Sequence, residues 1–342
     1  MDLPLLWFGL IGLLWTGYLV LEGFDFGVGA LLPRLGRGTD PADGEKRRRV
    51  MLTAIGPHWD GNEVWLLTAG GAMFAAFPEW YATMFSALYL PLLLLLVALI
   101  LRNMGLEYRH KRDDATWRRR WDAAIVGGSL LAPFLVGVAL TAVVRGLPID
   151  GDLEFAGSLL DVLQPLPLLG GLTVLALSLT HGSFFLALKT TGPIREEART
   201  FGTRAGLVAA GLAVLTLGWL GLLTGSAWSW ATTVVAAVAL LGALAANARG
   251  REGWAFTGTA VTMAGAVASY FLALYPDVMP TTLADGTSLT IANASSTPLT
   301  LTIMSWAALV FTPVMLLYTG YTYYAFRKRL GTQHVPAATP VA

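Results

Sequence analysis

The chain of 342 residues is 55% hydrophobic and only 13% charged, and its formal net charge is +1. This composition is typical of an all-α polytopic membrane protein and argues against a soluble domain or a nucleic-acid-binding protein. Because the sequence has no cysteine, disulfides, iron–sulfur clusters and covalently attached c-type heme are excluded, and its four histidines leave little capacity for ligating a metal or heme.

Apolar stretches of about 20 residues, the length that crosses a bilayer, predict about nine transmembrane helices. In chain order they cover residues 5–32, 52–78, 80–101, 122–144, 159–188, 205–224, 229–247, 254–275 and 299–326. The connecting loops are short, so residues 1–342 are predicted to form a single transmembrane domain. The first stretch is too long for a cleavable signal peptide and has no basic residues before it.

The second stretch, 52–78, crosses the membrane only if its polar first half is buried against protein. Its apolar part, VWLLTAGGAMFAAF, follows Glu63 and is too short to span alone. The positive-inside rule favours a span, because with nine helices all 23 lysines and arginines except Arg145 lie on one side of the membrane. Loop 102–121 and the C-terminus are therefore predicted to be cytoplasmic and the N-terminus external.

Two pairs of acidic residues lie within the first two predicted helices. Asp25 and Glu22 are about 10 Å and 15 Å from the cytoplasmic end of the first helix, and Asp60 and Glu63 are about 12 Å and 16 Å into the second. Each pair has i, i+3 spacing, so its members share a helix face. The matching depths predict one acidic cluster that is open to the cytoplasm and has no basic partner from either helix.

Four carboxylates in a low dielectric cannot all be ionised, so some members of this cluster are expected to carry protons. Ionisable residues within a membrane usually mark a functional path, which predicts proton uptake from the cytoplasm. The alternative is that the carboxylates are structural and accept hydrogen bonds from tryptophan or backbone donors.

The histidines give no clear cofactor site. His58 is either a heme or metal ligand or a hydrogen-bonded residue at a helix interface. His181, near the inner end of the fifth predicted helix, is interpreted as structural, while His110 lies in a basic loop and His334 in the tail. The sequence therefore leaves the roles of His58 and His181 open and predicts no metal site.

Three stretches, LEGFDFGVG (21–29), IGPHWDGNEVWLLTAGGAMFAAFP (55–78) and NASSTPLTL (293–301), resemble subunit II of bacterial cytochrome bd-type quinol oxidases. The resemblance covers nearly the whole chain and implies two four-helix bundles plus one peripheral helix. It also implies a heterodimer in the cell membrane with a similarly folded subunit I. In that family subunit I binds the b-type and d-type hemes and oxidises quinol, and oxygen is reduced to water without proton pumping. The present chain would then contain no heme and no catalytic residue.

The resemblance also assigns roles to individual residues. Asp25 and Asp60 match acidic positions on the proton path of the family, and Trp65 matches a tryptophan at the mouth of a lateral hydrophobic oxygen channel. For Glu22 and Glu63 the assignment depends on depth and helix face alone. Some members of the family also hold a structural quinone in subunit II or a small accessory subunit, and the sequence locates neither. The basic inner loops would suit anionic lipid.

Two other functions remain open at this point. The same helices and carboxylates suit a proton-coupled membrane transporter, and a purely structural scaffold would need the acidic pairs to be dispensable. A transporter works alone, whereas an oxidase subunit co-purifies with a heme-bearing partner.

Overall fold

The structure, a computed structural model, describes residues 2–335 and is built almost entirely from α-helices. In chain order these are α1 (Leu3–Ala30), α2 (Leu32–Leu35), α3 (Pro41–Ile55), α4 (Trp59–Ala76), α5 (Pro78–Ala87), α6 (Tyr89–Tyr108), α7 (Ala115–Arg145), α8 (Leu159–Val162), α9 (Pro165–Lys189), α10 (Pro193–Thr224), α11 (Ala227–Ala248), α12 (Glu252–Leu274) and α13 (Pro298–Ala325). Strands β1 (Asp277–Met279) and β2 (Leu289–Thr290) form an antiparallel pair between α12 and α13.

The predicted all-α membrane class is confirmed. Eight helices within residues 2–335 are long and apolar enough to cross a membrane, namely α1, α6, α7, α9, α10, α11, α12 and α13. Helix α4 is not among them, because its 18 residues include Asp60, Asn62 and Glu63. The ninth span and the arrangement in two four-helix bundles therefore stay predictions.

The predicted second helix, 52–78, is divided in the structure. Helix α3 ends at Ile55 and α4 begins at Trp59, with a tight turn closed by the His58 amide donating to the Ile55 carbonyl oxygen (2.8 Å). Pro57 lies in this turn and has no amide hydrogen to continue the helical ladder. As a result Asp60 and Glu63 lie in the first turns of α4, on a separate helix from the basic segment α3.

The predicted third helix, 80–101, also differs in its bounds. It is interrupted at Leu88, and its second part, α6, continues to Tyr108. Arg102, predicted to lie in a cytoplasmic loop, is instead inside α6 with a fully buried side chain. The prediction was wrong because it took the first charged residue after the leucine-rich run PLLLLLVALIL as the end of the helix.

Most basic residues gather at one end of the helix bundle. There Arg47 pairs with Glu197 (2.7 Å), which joins α3 to α10, and Arg195 pairs with Glu252 (2.6 Å), which joins α10 to α12. At the opposite end the Leu147 amide donates to the Pro280 carbonyl oxygen (3.1 Å), so the loop after α7 packs against the β-hairpin. These ion pairs and the loop packed on the β-hairpin thus lie at opposite ends of the bundle.

Helices α1 and α9 pack closely, because a Cβ atom on Gly27 would come within 2.8 Å of the Gly182 Cα atom. Such contacts between small residues let helix backbones approach in a membrane. Helix α13 is peripheral within the described residues, because Leu301 is its one buried residue, whereas most of α9 is buried.

Candidate functional site

Glu22 of α1 is paired with Arg102 of α6. The Arg102 Nη1 atom donates to Glu22 Oε1 at 2.5 Å, and neither side chain is exposed. Arg102 Nε donates to Ser129 Oγ of α7 (3.3 Å), and its guanidinium lies 4.7 Å from the centre of the Phe26 ring. The predicted acidic cluster therefore has a basic partner, which comes from a helix outside the two that carry the acids.

Glu63 of α4 is linked to the same arginine through Asn103. The Asn103 amide nitrogen donates to Glu63 Oε2 (2.5 Å), and Asn103 Oδ1 accepts a long hydrogen bond from Arg102 Nη1 (3.4 Å). Glu63 is half-buried, in contrast to the fully buried Glu22. One polar network thus connects α1, α6 and α4.

Asp25 forms a second network, with α4 and α13. Asn62 Nδ2 donates to Asp25 Oδ2 (2.7 Å) and to the Leu21 carbonyl oxygen (3.0 Å), while the Tyr323 hydroxyl donates to Asn62 Oδ1 (3.2 Å). The Tyr323 ring stacks on His58, with ring centres 4.3 Å apart and planes at 14°. Asp25 and Asn62 are both buried, so this chain of contacts runs from the core to the peripheral helix.

Asp60 differs from the other three acids because its side chain is exposed. Within residues 2–335 it takes part in neither network, although it lies one helical turn before Glu63. The structure therefore holds Glu22 and Glu63 in one polar network and Asp25 in another, and it leaves Asp60 on the outer face of α4. Glu22 Oε2 and Asp25 Oδ1 are buried and accept no hydrogen bond from described residues.

Charged residues at the basic end of the bundle join the helices below these networks. Arg109 donates to both oxygens of Glu45 on α3 (2.9 Å and 2.8 Å) and to Asp122 on α7 (2.5 Å). Burial raises the pKa of Glu45, but the hydrogen bonds and the charge of Arg109, with smaller effects of Arg118 and Arg48, hold this pKa below its usual value. Glu45 is therefore an ionised partner of Arg109 at neutral pH.

Trp65 lies in an apolar groove between α1, α4 and α13 with a volume of about 870 Å³. The groove is lined mainly by hydrophobic side chains and opens at the surface of the bundle. A Cβ atom on Gly17 of α1 would overlap the Trp65 indole, so the absence of a side chain there makes room for the ring. Trp65 and Asp60 are carried by the same helix.

Two of the histidines, His181 and His58, are buried among the helices. His181 is fully buried, its Nδ1 atom is 2.6 Å from Thr259 Oγ1, its Nε2 atom is 3.1 Å from the Val20 carbonyl oxygen, and its ring stacks on Phe256. With both nitrogens engaged, His181 has none free to ligate iron. His58 is covered on one face by Tyr323, and neither histidine lines the apolar groove. Among the described residues no group of three or more His, Asp or Glu is placed to hold a metal ion.

Sequence reasoning missed Arg102, Asn103 and Tyr323 as members of the networks. No clear signal marked Arg102, because the leucine-rich run before it does not fix where α6 ends. For Tyr323 there was none: it is one of several tyrosines near the end of α13, and its orientation depends on how that helix meets α4.

This chain is similar to known proteins over nearly its whole length. A family model described as cytochrome bd terminal oxidase subunit II matches residues 3–326. The cytochrome bd ubiquinol oxidase subunit 2 of Bacillus subtilis (strain 168) is 39% identical, over 95% of this chain and 96% of that protein. The cytochrome bd-I ubiquinol oxidase subunit 2 of Escherichia coli (strain K12) is 32% identical, over 98% and 97%. The structure of bd oxidase from Geobacillus thermodenitrificans includes a chain with a similar fold (TM-score 0.78, 20% identity, 95% and 97% covered).

Proposed function

Because the chain belongs to the cytochrome bd terminal oxidase subunit II family, we propose that it is the heme-free subunit of a quinol:oxygen oxidoreductase. It pairs with a heme-bearing subunit I, which oxidises quinol and reduces oxygen to water, and the complex builds proton motive force without pumping. The curated relatives carry the name ubiquinol oxidase subunit, which supports a quinol as electron donor. Membership of this family favours the oxidase over a proton-coupled transporter.

In this proposal Asp25, Asp60, Glu22 and Glu63 supply part of the proton path from the cytoplasm. The observation that carries it is the pair of polar networks that hold the buried Glu22 and Asp25 and the half-buried Glu63 between the helices. Carboxylates at this depth are rare unless they serve an ion or proton pathway. Asp60 is the exposed member near the start of α4, and the other three lie deeper. An exposed carboxylate is unfavourable against lipid, so this face of α4 is the one we expect to meet subunit I.

Substitution of the carboxylates tests the proton path. In the purified two-subunit complex, Asp25→Asn and Asp60→Asn should retain normal heme spectra but lower quinol oxidase turnover. The deficit should grow as the pH rises, because protons become scarcer. Glu107→Gln removes an exposed carboxylate near the end of α6 and serves as the control. Wild-type turnover of both asparagine variants across the pH range would mean that the carboxylates are structural.

Trp65 is proposed to mark the mouth of an oxygen channel. Molecular oxygen is apolar and concentrates in the bilayer core, so an apolar groove that opens sideways between α1, α4 and α13 suits its entry. The position of Trp65 in this groove supports the role that the family resemblance implies. Since α4 carries both Trp65 and Asp60, one helix would serve the entry of oxygen and of protons.

The absence of heme from this chain is supported by the engaged nitrogens of His181. Hemes supply the oxygen chemistry of the complex, and their ligands are expected on subunit I. A reduced-minus-oxidised spectrum of this chain expressed alone should therefore be flat. A stoichiometric heme band that disappears in His58→Phe would contradict the proposal, because phenylalanine preserves the stacking on Tyr323 but cannot ligate iron.

The basic end of the bundle is proposed to face the cytoplasm, with the N-terminus outside and the C-terminus inside. The concentration of lysine and arginine at that end supports this orientation, and the same charges suit anionic lipid headgroups. The chain contains no cysteine, so Ala42→Cys, at an exposed position of α3, gives a single labelling site. An impermeant thiol reagent should not label it in intact cells, and labelling would reverse the orientation.

A further inference from the structure

Helix α13 is the most loosely packed of the long helices, yet its last turns reach the proposed proton path. Leu301 is its one buried residue, and the apolar groove separates most of its length from α1 and α4. Near its inner end, however, Tyr323 makes a hydrogen bond to Asn62. A helix that is peripheral along most of its length thus contacts the site at one position.

Both ends of α13 are fastened to the bundle. At the outer end Trp7 Nε1 donates to Ser305 Oγ (3.1 Å). At the inner end Lys189 of α9 donates to the carbonyl oxygen of Phe326, and the Leu330 amide donates to the Lys189 carbonyl oxygen (2.8 Å). These contacts fix the inner end of the helix in depth and rotation.

Of the four tyrosines near the end of α13, Tyr323 is the one that faces the bundle. Tyr318, Tyr321 and Tyr324 are exposed by 67%, 69% and 62% of their surface. Tyr323 instead turns inward, stacks on His58 and lies edge-on to Phe24, with ring centres 6.4 Å apart. Its hydroxyl therefore has a defined position relative to Asn62.

The hydrogen bonds of Asn62 explain why that position matters. An asparagine amide has one accepting oxygen and two donating hydrogens, and rotation by half a turn exchanges them. Here Nδ2 serves two acceptors, Asp25 Oδ2 and the Leu21 carbonyl oxygen, and Oδ1 receives the Tyr323 hydroxyl. The Tyr323 donor thus favours the orientation in which Asn62 donates to Asp25.

We propose that Tyr323 is a positioning residue for Asp25 and acts through Asn62. Its hydrogen bond to Asn62 Oδ1 keeps Asn62 Nδ2 donating to Asp25 Oδ2. Asp25 Oδ1 accepts no hydrogen bond from described residues and is then the oxygen that exchanges the proton. This inference rests on the proposed proton path. The peripheral helix is then part of the proton site as well as a wall of the oxygen groove.

A double-mutant cycle on the assembled two-subunit complex tests the inference. Tyr323→Phe keeps the ring and its stacking on His58 but removes the hydroxyl. Quinol oxidase turnover should fall about three- to tenfold, the kinetic equivalent of one hydrogen bond, at unchanged heme content. Tyr324→Phe, an exposed neighbour, should turn over at the wild-type rate. In the Asp25→Asn background Tyr323→Phe should cause no further loss, because residues that act through one another are not additive.

Asn62→Ala removes the residue that links Tyr323 to Asp25 and should reproduce the loss of turnover seen in Tyr323→Phe. Additive losses of turnover in the double variant Tyr323→Phe/Asp25→Asn would overturn the inference. It would also be overturned if Tyr323→Phe fails to assemble while Tyr324→Phe assembles, because the hydroxyl would then be structural. If Asp25→Asn is slow and Tyr323→Phe is not, the inference alone is wrong. If Asp25→Asn turns over at the wild-type rate, the proposed proton path is wrong and the inference falls with it.

Discussion

Arg102 and Glu22 form an ion pair in which both side chains are fully buried and Nη1 lies 2.5 Å from Oε1. The pair connects α6 to α1 at the centre of the proposed proton site. Removing two charges from water is costly, and their attraction offsets this cost only while both are present. The contacts of Arg102 with Ser129 and Phe26 add to the stabilisation of the arginine.

Loss of one member of this pair should destabilise the complex. Glu22→Gln leaves Arg102 as an uncompensated buried charge, a change that costs about 3–5 kcal/mol in proteins where it has been measured. We expect a lower thermal unfolding midpoint of the purified complex and partial loss of heme. Glu107→Gln, which removes an exposed carboxylate from α6, is the matched control.

Replacement of both partners separates charge from packing. Glu22→Leu combined with Arg102→Met removes both charges together, and such apolar replacements are often neutral. The double variant should therefore unfold at a higher temperature than Glu22→Gln. A Glu22→Gln complex as stable as Glu107→Gln would show that the pair contributes little.

The acidic pairs could be predicted from the sequence because helical spacing and depth follow from residue numbers alone. Arg102 could not be placed by the same reasoning. Its position depends on where α6 ends, and a leucine-rich run fixes that boundary poorly when the next residue is an arginine. An ion pair with Glu22 lowers the cost of burying this arginine within the membrane. That partner can be identified only once the packing of α1 against α6 is known.

The Glu45–Arg109 contact predicts a pH-dependent contribution to stability. The pKa of Glu45 is held below its usual value of 4.5, so the contribution is fully present above that pH and is lost as the pH falls towards the lowered pKa. Glu45→Gln should lower the free energy of unfolding at neutral pH by about 1 kcal/mol, because the carboxylate is 24% exposed and partly screened. Thermal unfolding of the complex at a series of pH values checks this.

The difference between wild type and Glu45→Gln should shrink as the pH falls below 4.5. Glu79→Gln, which removes an exposed carboxylate at the other end of the bundle, should behave as wild type throughout. A difference that is constant with pH would mean that Glu45 stabilises through packing and not through its charge.

Gly17→Ala tests the oxygen groove. The added methyl group would overlap the Trp65 indole, so the ring must move into the groove and narrow it. We expect the KM for oxygen to rise severalfold while the KM for quinol stays unchanged, measured from the oxygen dependence of quinol oxidase turnover.

Gly9→Ala is the matched control for this variant. It lies on the same helix, and a Cβ atom there meets nothing within 4 Å. Both substitutions raise helix propensity equally, so a difference between them reports on Trp65. An unchanged KM for oxygen in Gly17→Ala would show that oxygen does not enter through this groove.

The role of Tyr323 shows a second limit of sequence reasoning. The tyrosines of α13 have equivalent neighbours in the sequence, and helical periodicity alone does not say which of them faces the bundle on a helix that is mostly exposed. Its rotation is set by contacts of the segment after the helix with Lys189, which are distant in the sequence. Long-range contacts of this kind carry no local signal.

The most direct test of the proton path is the rate at which the complex takes up protons from the cytoplasmic side while the fully reduced enzyme reacts with oxygen. A pH-indicating dye reports this rate in a single turnover, separately from quinol oxidation. Asp25→Asn should slow proton uptake by about two orders of magnitude, the usual contribution of a positioned proton-transfer group, at unchanged heme content. Glu107→Gln should match wild type. Proton uptake by Asp25→Asn at the wild-type rate would contradict the account.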